Sequence, residues 1–353
     1  MFDSLLRYSI GASDKMPTGI SSEEWGVLYE DARQQSLLGV LFYGIQRDGA
    51  EKPERKLLLK WYSVSEKIKQ GNRKTNEAIV EAVKFFRDNG FRTCVLKGQG
   101  NALNYPDPYI RTSGDIDIWV EGGHKKVLPW ARRLVGNKKF CYHHIEFKRI
   151  NGIEVEVHYR PSFMHSLVHN RRMQRWIDSV ADEQFGHEVD LPDGVGKVCV
   201  PTNGFNRIYQ MSHISKHFFH EGIGLRQIVD YYFLLRQGFT EEERRHDEAL
   251  LKEFGLYEMA SAVMFVLREM LGLEQRLMLV PADDKLGQFL LDEILQAGNF
   301  GQHDKRVKHG QKRLARNVQR LKRDARLMFY FPSECLWEPI FRWYHFFWRL
   351  WNR

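Results

Sequence analysis

Two aspartates, Asp115 and Asp117, stand two residues apart in Arg111-Thr-Ser-Gly-Asp115-Ile-Asp117-Ile-Trp119-Val120, a run of strand formers just after a glycine turn. Side chains alternate faces along a strand, so both carboxylates share one face and Ile116 and Ile118 take the other. Like charges so close repel unless a cation lies between them. The chemistry this suits is a Mg²⁺ site, with Mn²⁺ able to take its place, because Mg²⁺ takes oxygen ligands and keeps part of its shell for substrate phosphates.

The flanking segments fit the same chemistry. Thr93-Cys-Val-Leu-Lys97-Gly98-Gln99-Gly100 reads as a short buried strand ending in a glycine turn, where backbone N–H groups can come close to a phosphate. Gly152-Ile-Glu154-Val-Glu156-Val-His158-Tyr-Arg160-Pro161 alternates strictly, with the acids and His158 on one face. A third carboxylate on a neighbouring strand is what a two-metal phosphoryl-transfer site needs. Glu156 is preferred for it over Glu154, which is expected to face solvent. Lys97 and Arg111 are expected to supply the positive charge that a nucleoside triphosphate requires. His158, counted with the triphosphate-binding residues, either packs or pairs with a neighbouring acid, or takes a direct part in catalysis.

This constellation resembles the nucleotidyltransferase superfamily related to DNA polymerase beta. More narrowly it is similar to the bacterial "uncharacterised nucleotidyltransferase" family, on Leu96-Lys97-Gly98, Arg111, Asp115-Ile-Asp117 and Glu156-Val-His158. The resemblance is firm over about 80–160, extends to about 240, and leaves out the last fifty residues. It implies that Asp115 and Asp117 bind Mg²⁺, that Glu156 is the third carboxylate, and that a nucleoside triphosphate is the substrate. Gly98 and Gln99 would then contact the phosphates. Superfamily members usually carry Gly-Ser or Gly-Gly at that turn, and this chain has Gly98-Gln99.

The elements that must hold these residues are expected as follows. Residues 1–90 read as helical. Ser21-Ser-Glu-Glu24 makes a helix start, and Pro53 opens a second helical segment that Gly71-Asn72 is expected to interrupt. A strand ends at Gly98, a short helix covers 101–105, the Asp115 strand follows, and 125–135 is helical with Pro129 near its first turn. Strands at 142–150 and 153–159 are joined by Asn151-Gly152, a hairpin signal. From 203 to 300 the chain turns helical again. His213 and His217 share a helix face there, which suits a substrate pocket or a structural role better than zinc, because the acid of H-E-x-x-H is missing. Arg226 and Asp230 read as an i,i+4 pair on the helix over 225–235.

The fold expected is α+β: a small mixed palm-like sheet with a helical N-terminal layer and a helical C-terminal half. The expected divisions are 1–90, 91–202 for the palm-like core, 203–300, and a basic and aromatic tail over 301–353.

At 353 residues, with 43% hydrophobic and 13% aromatic content, the chain can bury a substantial core. Cys94, Cys141, Cys199 and Cys335 form no C-x-x-C pair, which argues against a zinc ribbon or disulfide framework. With no secretory apolar region at the N-terminus and no membrane-length apolar run, a cytoplasmic location is expected. Residues 301–326 hold ten Lys or Arg and two Asp, so this one segment matches the whole chain's net charge of +8. Leu314, Val318, Leu321, Ala325 and Met328 form a narrow apolar stripe there. Beyond Pro332, Trp337, Phe341, Tyr344, Trp348 and Trp351 fall on one helix face. Packing of that face on the protein is the first expectation. Peripheral docking to a membrane or a protein partner is the second, and nucleic acid the third.

The activity expected is Mg²⁺-dependent transfer of a nucleoside monophosphate from a triphosphate such as ATP, with release of pyrophosphate. The acceptor stays open among a small molecule, a protein side chain and an RNA end. Two other readings stay open as well: a binding or regulatory protein that keeps the fold without turnover, and a scaffold docked through 301–353.

Overall fold

The computed structural model describes residues 1–304, 306 and 322–352. Most of the expected stripe at 314–328 lies outside the described residues; Ala325 and Met328 lie within them.

The chain is α+β. Three helices open it: α1 (Phe2–Ser9), α2 (Ser22–Gln34) and α3 (Leu38–Ile45). Ser21 caps α2 in a reciprocal box with Glu24, as the sequence indicates. The next helix, α4 (Arg55–Asp88), runs unbroken for 34 residues. The interruption expected at Gly71-Asn72 is absent, for a tertiary reason. Asn72 is buried and donates to the carbonyls of Tyr109 and Arg111, both at 2.8 Å. That side chain fastens the loop before the Asp115 strand onto the middle of α4, so a residue with modest helix propensity is held by long-range hydrogen bonds.

The sheet follows, with β1 (Thr93–Leu96), β2 (Ile116–Val120), β3 (His144–Glu146) and β4 (Val155–His158) in the order β1-β2-β4-β3. The β2/β4 pair is parallel; the other two pairs are antiparallel. The helix expected at 101–105 instead starts at once after β1, as α5 (Gly98–Ala102). Between β2 and β3 lies α6 (Gly123–Val135), with Pro129 inside it. The hairpin turn is present: Asn151 and Gly152 have φ of 50° and 81°, and Ile150 bridges Ile153.

Each sheet face has its own role. Val95, Ile116, Ile118, Val120, Val155 and Val157 point into a core shared with the second half of α4 (Ala78, Ile79, Ala82, Phe86) and with α6. Leu96, Asp117, Trp119, Glu156 and His158 point the other way. The chain continues with α7 (Leu167–Gly186), a two-stranded ribbon of β5 (Glu188–Asp190) and β6 (Lys197–Cys199), and α8 (Asn203–His220). Neither α7 nor the ribbon is among the elements expected from the sequence. Helices α9 (Leu225–Leu235), α10 (Glu241–Glu253), α11 (Tyr257–Leu271) and α12 (Asp284–Ala297) complete this half. They share one large core with α1–α3 and the first half of α4, so α4 links the two cores.

The C-terminal helix Pro332–Trp351 divides its aromatics. Phe341 and Trp348 are buried against the strand side of the palm, where Phe341 stacks on Phe163 at 4.8 Å and Trp348 meets Tyr142 at 5.4 Å. Leu336, Ile340, Trp343, Phe347, Leu350 and Trp351 stay exposed on the outer side. Among the described residues, no helix is long and apolar enough to cross a membrane.

Candidate functional site

Asp115 immediately precedes β2, and Asp117 lies within it. The parallel register sets Asp117 beside Glu156 and Ile118 beside Val157. Ligand atoms of Asp115, Asp117 and Glu156 lie within 4.8 Å of one another. Three carboxylates converging with only oxygen donors fit a hard divalent cation. Glu154, by contrast, sits at the surface and pairs with Arg149.

The charges around this triad are tightly arranged. Lys97 Nζ lies 2.9 Å from Asp117 Oδ2, and His158 Nε2 lies 2.7 Å from Asp117 Oδ1. Burial alone would raise the Asp117 carboxyl, but Lys97 and the hydrogen bond from His158 outweigh it and hold it well below the usual range. Asp115 shows the opposite: the charge of Asp117 and then burial push it up to about 6. Burial opposes the charged form of His158, yet its hydrogen bonds to Asp117 and Glu156 win and the shift is upward. His158 therefore pairs with the acids, one of its two expected roles. His144 adds a second imidazole, with Nδ1 3.1 Å from Glu156 Oε2; burial and then His158 lower it to about 3.

The turn after β1 is unusual backbone. Lys97 has φ 51° and ψ −138°, and Gly98 has φ 41°. A lysine in that region is strained, at a cost of about 1–3 kcal/mol, and the strain turns its ammonium back over β2. At Gly98 nothing lies within 4 Å of where a Cβ would stand, so its backbone is open to the cleft. The Gln99 amide, expected to help grip the phosphates, is turned away. It is buried, and its Nε2 donates to Asn76 Oδ1 on α4 at 2.7 Å.

Arg111 also differs from the expectation of a cation free for phosphate. It is buried and grips Asp230 of α9 at two points, 2.7 and 2.8 Å, while Tyr105 donates to the same carboxylate at 2.6 Å. The i,i+4 pairing of Arg226 with Asp230 is therefore replaced. Arg226 instead donates to the Thr112 carbonyl at 3.0 Å and faces the cleft with its Nε unpartnered. Burial, then the charge of Arg111, lower it to about 10. The sequence offered no signal for this exchange, because the acid that frees Arg226 is claimed by a residue 119 positions away.

These groups line a cleft of about 600 Å³, closed on its other side by α8 through Gln210, His213 and Lys216. His213 and His217 meet edge to face at 4.1 Å, and burial pushes the His213 imidazole well below its ordinary pKa. Cys141, His143 and His144 form a further group of converging ligand atoms at the β3 edge, which the sequence reading had not singled out. The four cysteines are free thiols.

A family model described as uncharacterised nucleotidyltransferase matches residues 21–272, from the cap of α2 to the glycine that ends α11. No curated protein and no solved structure matches the chain.

Proposed function

The chain belongs to the uncharacterised nucleotidyltransferase family, and from that premise we propose that its cleft transfers a nucleoside monophosphate from a triphosphate to an acceptor oxygen. A bond forms from that oxygen to the α-phosphorus, the α–β anhydride breaks, pyrophosphate leaves, and the acceptor's proton passes to water. The observation that carries the reading is the convergence of Asp115, Asp117 and Glu156 on one sheet face. They would hold Mg²⁺, or Mn²⁺ in its place, which supplies charge neutralisation at the phosphates and a lowered pKa for the attacking hydroxyl.

The remaining residues bind and orient. Lys97 and Arg226 provide the cationic wall for the triphosphate, with the open backbone at Gly98 beside them. Gln99 contributes through its backbone, since its amide is committed to Asn76. Arg111 acts through position: it fixes Asp230, and both it and Arg226 reach the Thr112 carbonyl at the mouth of the Asp115 strand. His158 holds the Asp117 carboxylate in one orientation.

The test is pyrophosphate release from each of the four nucleoside triphosphates with Mg²⁺ and a small-metabolite extract as acceptor source. Release that requires Asp117 is expected. Triphosphate binding without release under any condition would instead mark a regulatory protein. For the tail, the exposed aromatics of the C-terminal helix, which follows a strongly basic stretch in the sequence, support peripheral docking on an anionic lipid surface.

A further inference from the structure

Helix α8 crosses the cleft from one sheet edge to the other. Near its start Asn206 and Gln210 donate to Asn101 Oδ1 at 3.2 and 3.0 Å, on the β1 side. Further along, Lys216 Nζ lies 3.2 Å from His143 Nε2, next to β3. The strand order β1-β2-β4-β3 thus sets the Lys97–Gly98 turn at one edge, the carboxylates in the middle and Lys216 at the other edge.

A second cavity of about 480 Å³ opens beyond Lys216. It shares Lys139, His143, His144, Lys216, His217 and Glu221 with the cleft, and its far wall is the C-terminal helix, through Glu338, Phe341, Arg342 and His345. Its cations are unevenly matched. Glu338 takes Arg342, Glu221 takes His217 and Glu334 takes His165. Among the described residues, Lys216 has no carboxylate within ion-pair distance, although it is partly buried. Among the described residues, the Nε2 atoms of His165 and His345 are buried without a hydrogen-bond partner. Glu221 on the shared wall is bonded to His217 and reaches Lys216 only beyond ion-pair distance, so a partly buried ammonium without an ion pair stays costly unless an anion completes it.

In-line displacement fixes which side that anion belongs to. The attacking oxygen must approach opposite the leaving pyrophosphate. With the triphosphate on the Lys97–Gly98 edge, the acceptor arrives from the Lys216 edge. We propose that the second cavity is the acceptor site and that it takes a small phosphomonoester, whose phosphate Lys216 and the neighbouring imidazoles hold. The volume is that of a small-molecule site rather than a polymer groove. A phosphate, with three acceptor oxygens, suits several converging donors better than a carboxylate does. This assignment rests on the nucleotidyltransferase reading above.

The test uses radiolabelled orthophosphate as the probe, in equilibrium dialysis with the full chain. A non-hydrolysable triphosphate analogue with Ca²⁺ is present or omitted, and its own binding is measured first. One equivalent of phosphate should bind with the analogue in place. Lys216→Met should weaken it at least tenfold, Lys216→Arg should restore most of it, and analogue affinity should change less than twofold. Thermal melts of both variants confirm that they fold. Phosphate displaced by the analogue would assign Lys216 to the triphosphate and overturn the proposal, as would phosphate binding indifferent to Lys216→Met. Failure of the analogue itself to bind would strike the nucleotidyltransferase reading separately.

Discussion

Arg111 and Asp230 form a two-point ion pair, at 2.7 and 2.8 Å, between the loop before β2 and α9. The pair joins the carboxylate-bearing sheet face to the helical half, and among the described residues Arg226 faces the cleft without an ion pair. Arg111→Ala would strand the Asp230 carboxylate in the interior, at a cost of about 3–5 kcal/mol. It should lower the melting temperature sharply. Arg226→Ala should leave melting nearly unchanged and raise KM for the triphosphate about tenfold. Melts of the two variants beside a triphosphate titration check the exchange of roles.

Asp115 is destabilised by its neighbour, and the sign of the pH effect follows. Its folded pKa of about 6 lies above the unfolded value of 3.8, so ionising it costs stability as pH rises between the two. Asp115→Asn should therefore stabilise the metal-free protein above about pH 6 and give no gain below about pH 4. Asp115 sits at the open rim of the cleft, crowded by Asp117 on one side and exposed to solvent on the other, so screening limits the gain to about 1 kcal/mol, or about 1–2 °C. Differential scanning calorimetry at pH 4 and pH 7.5 reads it; a gain at both pH values would rule out charge repulsion as the cause.

Glu156 and Glu154 separate cleanly. Glu156 lies beside Asp117 in the sheet, while Glu154 is tied to Arg149 at the surface. Glu156→Gln should reduce kcat/KM at least about 10²-fold, or about 2.7 kcal/mol of transition-state stabilisation. Glu154→Gln should stay within about twofold. Comparable losses in pyrophosphate release would show that the register does not select the ligand.

The C-terminal helix should respond by face. Phe341→Ala or Trp348→Ala removes a buried aromatic and should cost about 3–5 kcal/mol. Replacing Trp343, Phe347 and Trp351 together by Ser should spare the melting temperature and abolish sedimentation with vesicles rich in anionic lipid. Vesicle binding unaffected by the triple variant would refute the docking surface.

The sequence carried the parts of this molecule that local rules govern. Alternation put Asp115 and Asp117 on one face of their strand and Glu156 with His158 on one face of another, and Asn151-Gly152 marked the hairpin, because a strand's period and a turn's dihedrals are properties of a few adjacent residues. The C-terminal helix was legible from its apolar spacing. What stayed hidden depended on distant partners. Gly71-Asn72 looked like a break, but Asn72 is held by carbonyls of residues 109 and 111. The partner of Asp230 was read as Arg226, four residues before it, and is Arg111. Gln99 was read toward phosphate and faces Asn76. Lys216 and His143 meet only because α8 crosses the whole sheet.

Asp115, Asp117 and Glu156 are expected to hold a divalent ion together with a nucleoside triphosphate. Electron paramagnetic resonance of Mn²⁺ tests it without any acceptor. In the presence of a non-hydrolysable triphosphate analogue, the free Mn²⁺ signal should fall as full-length protein is added. The loss should saturate at a fixed stoichiometry and largely disappear with Asp117→Asn or Glu156→Gln. Equal Mn²⁺ uptake by the wild type and both variants would contradict the account.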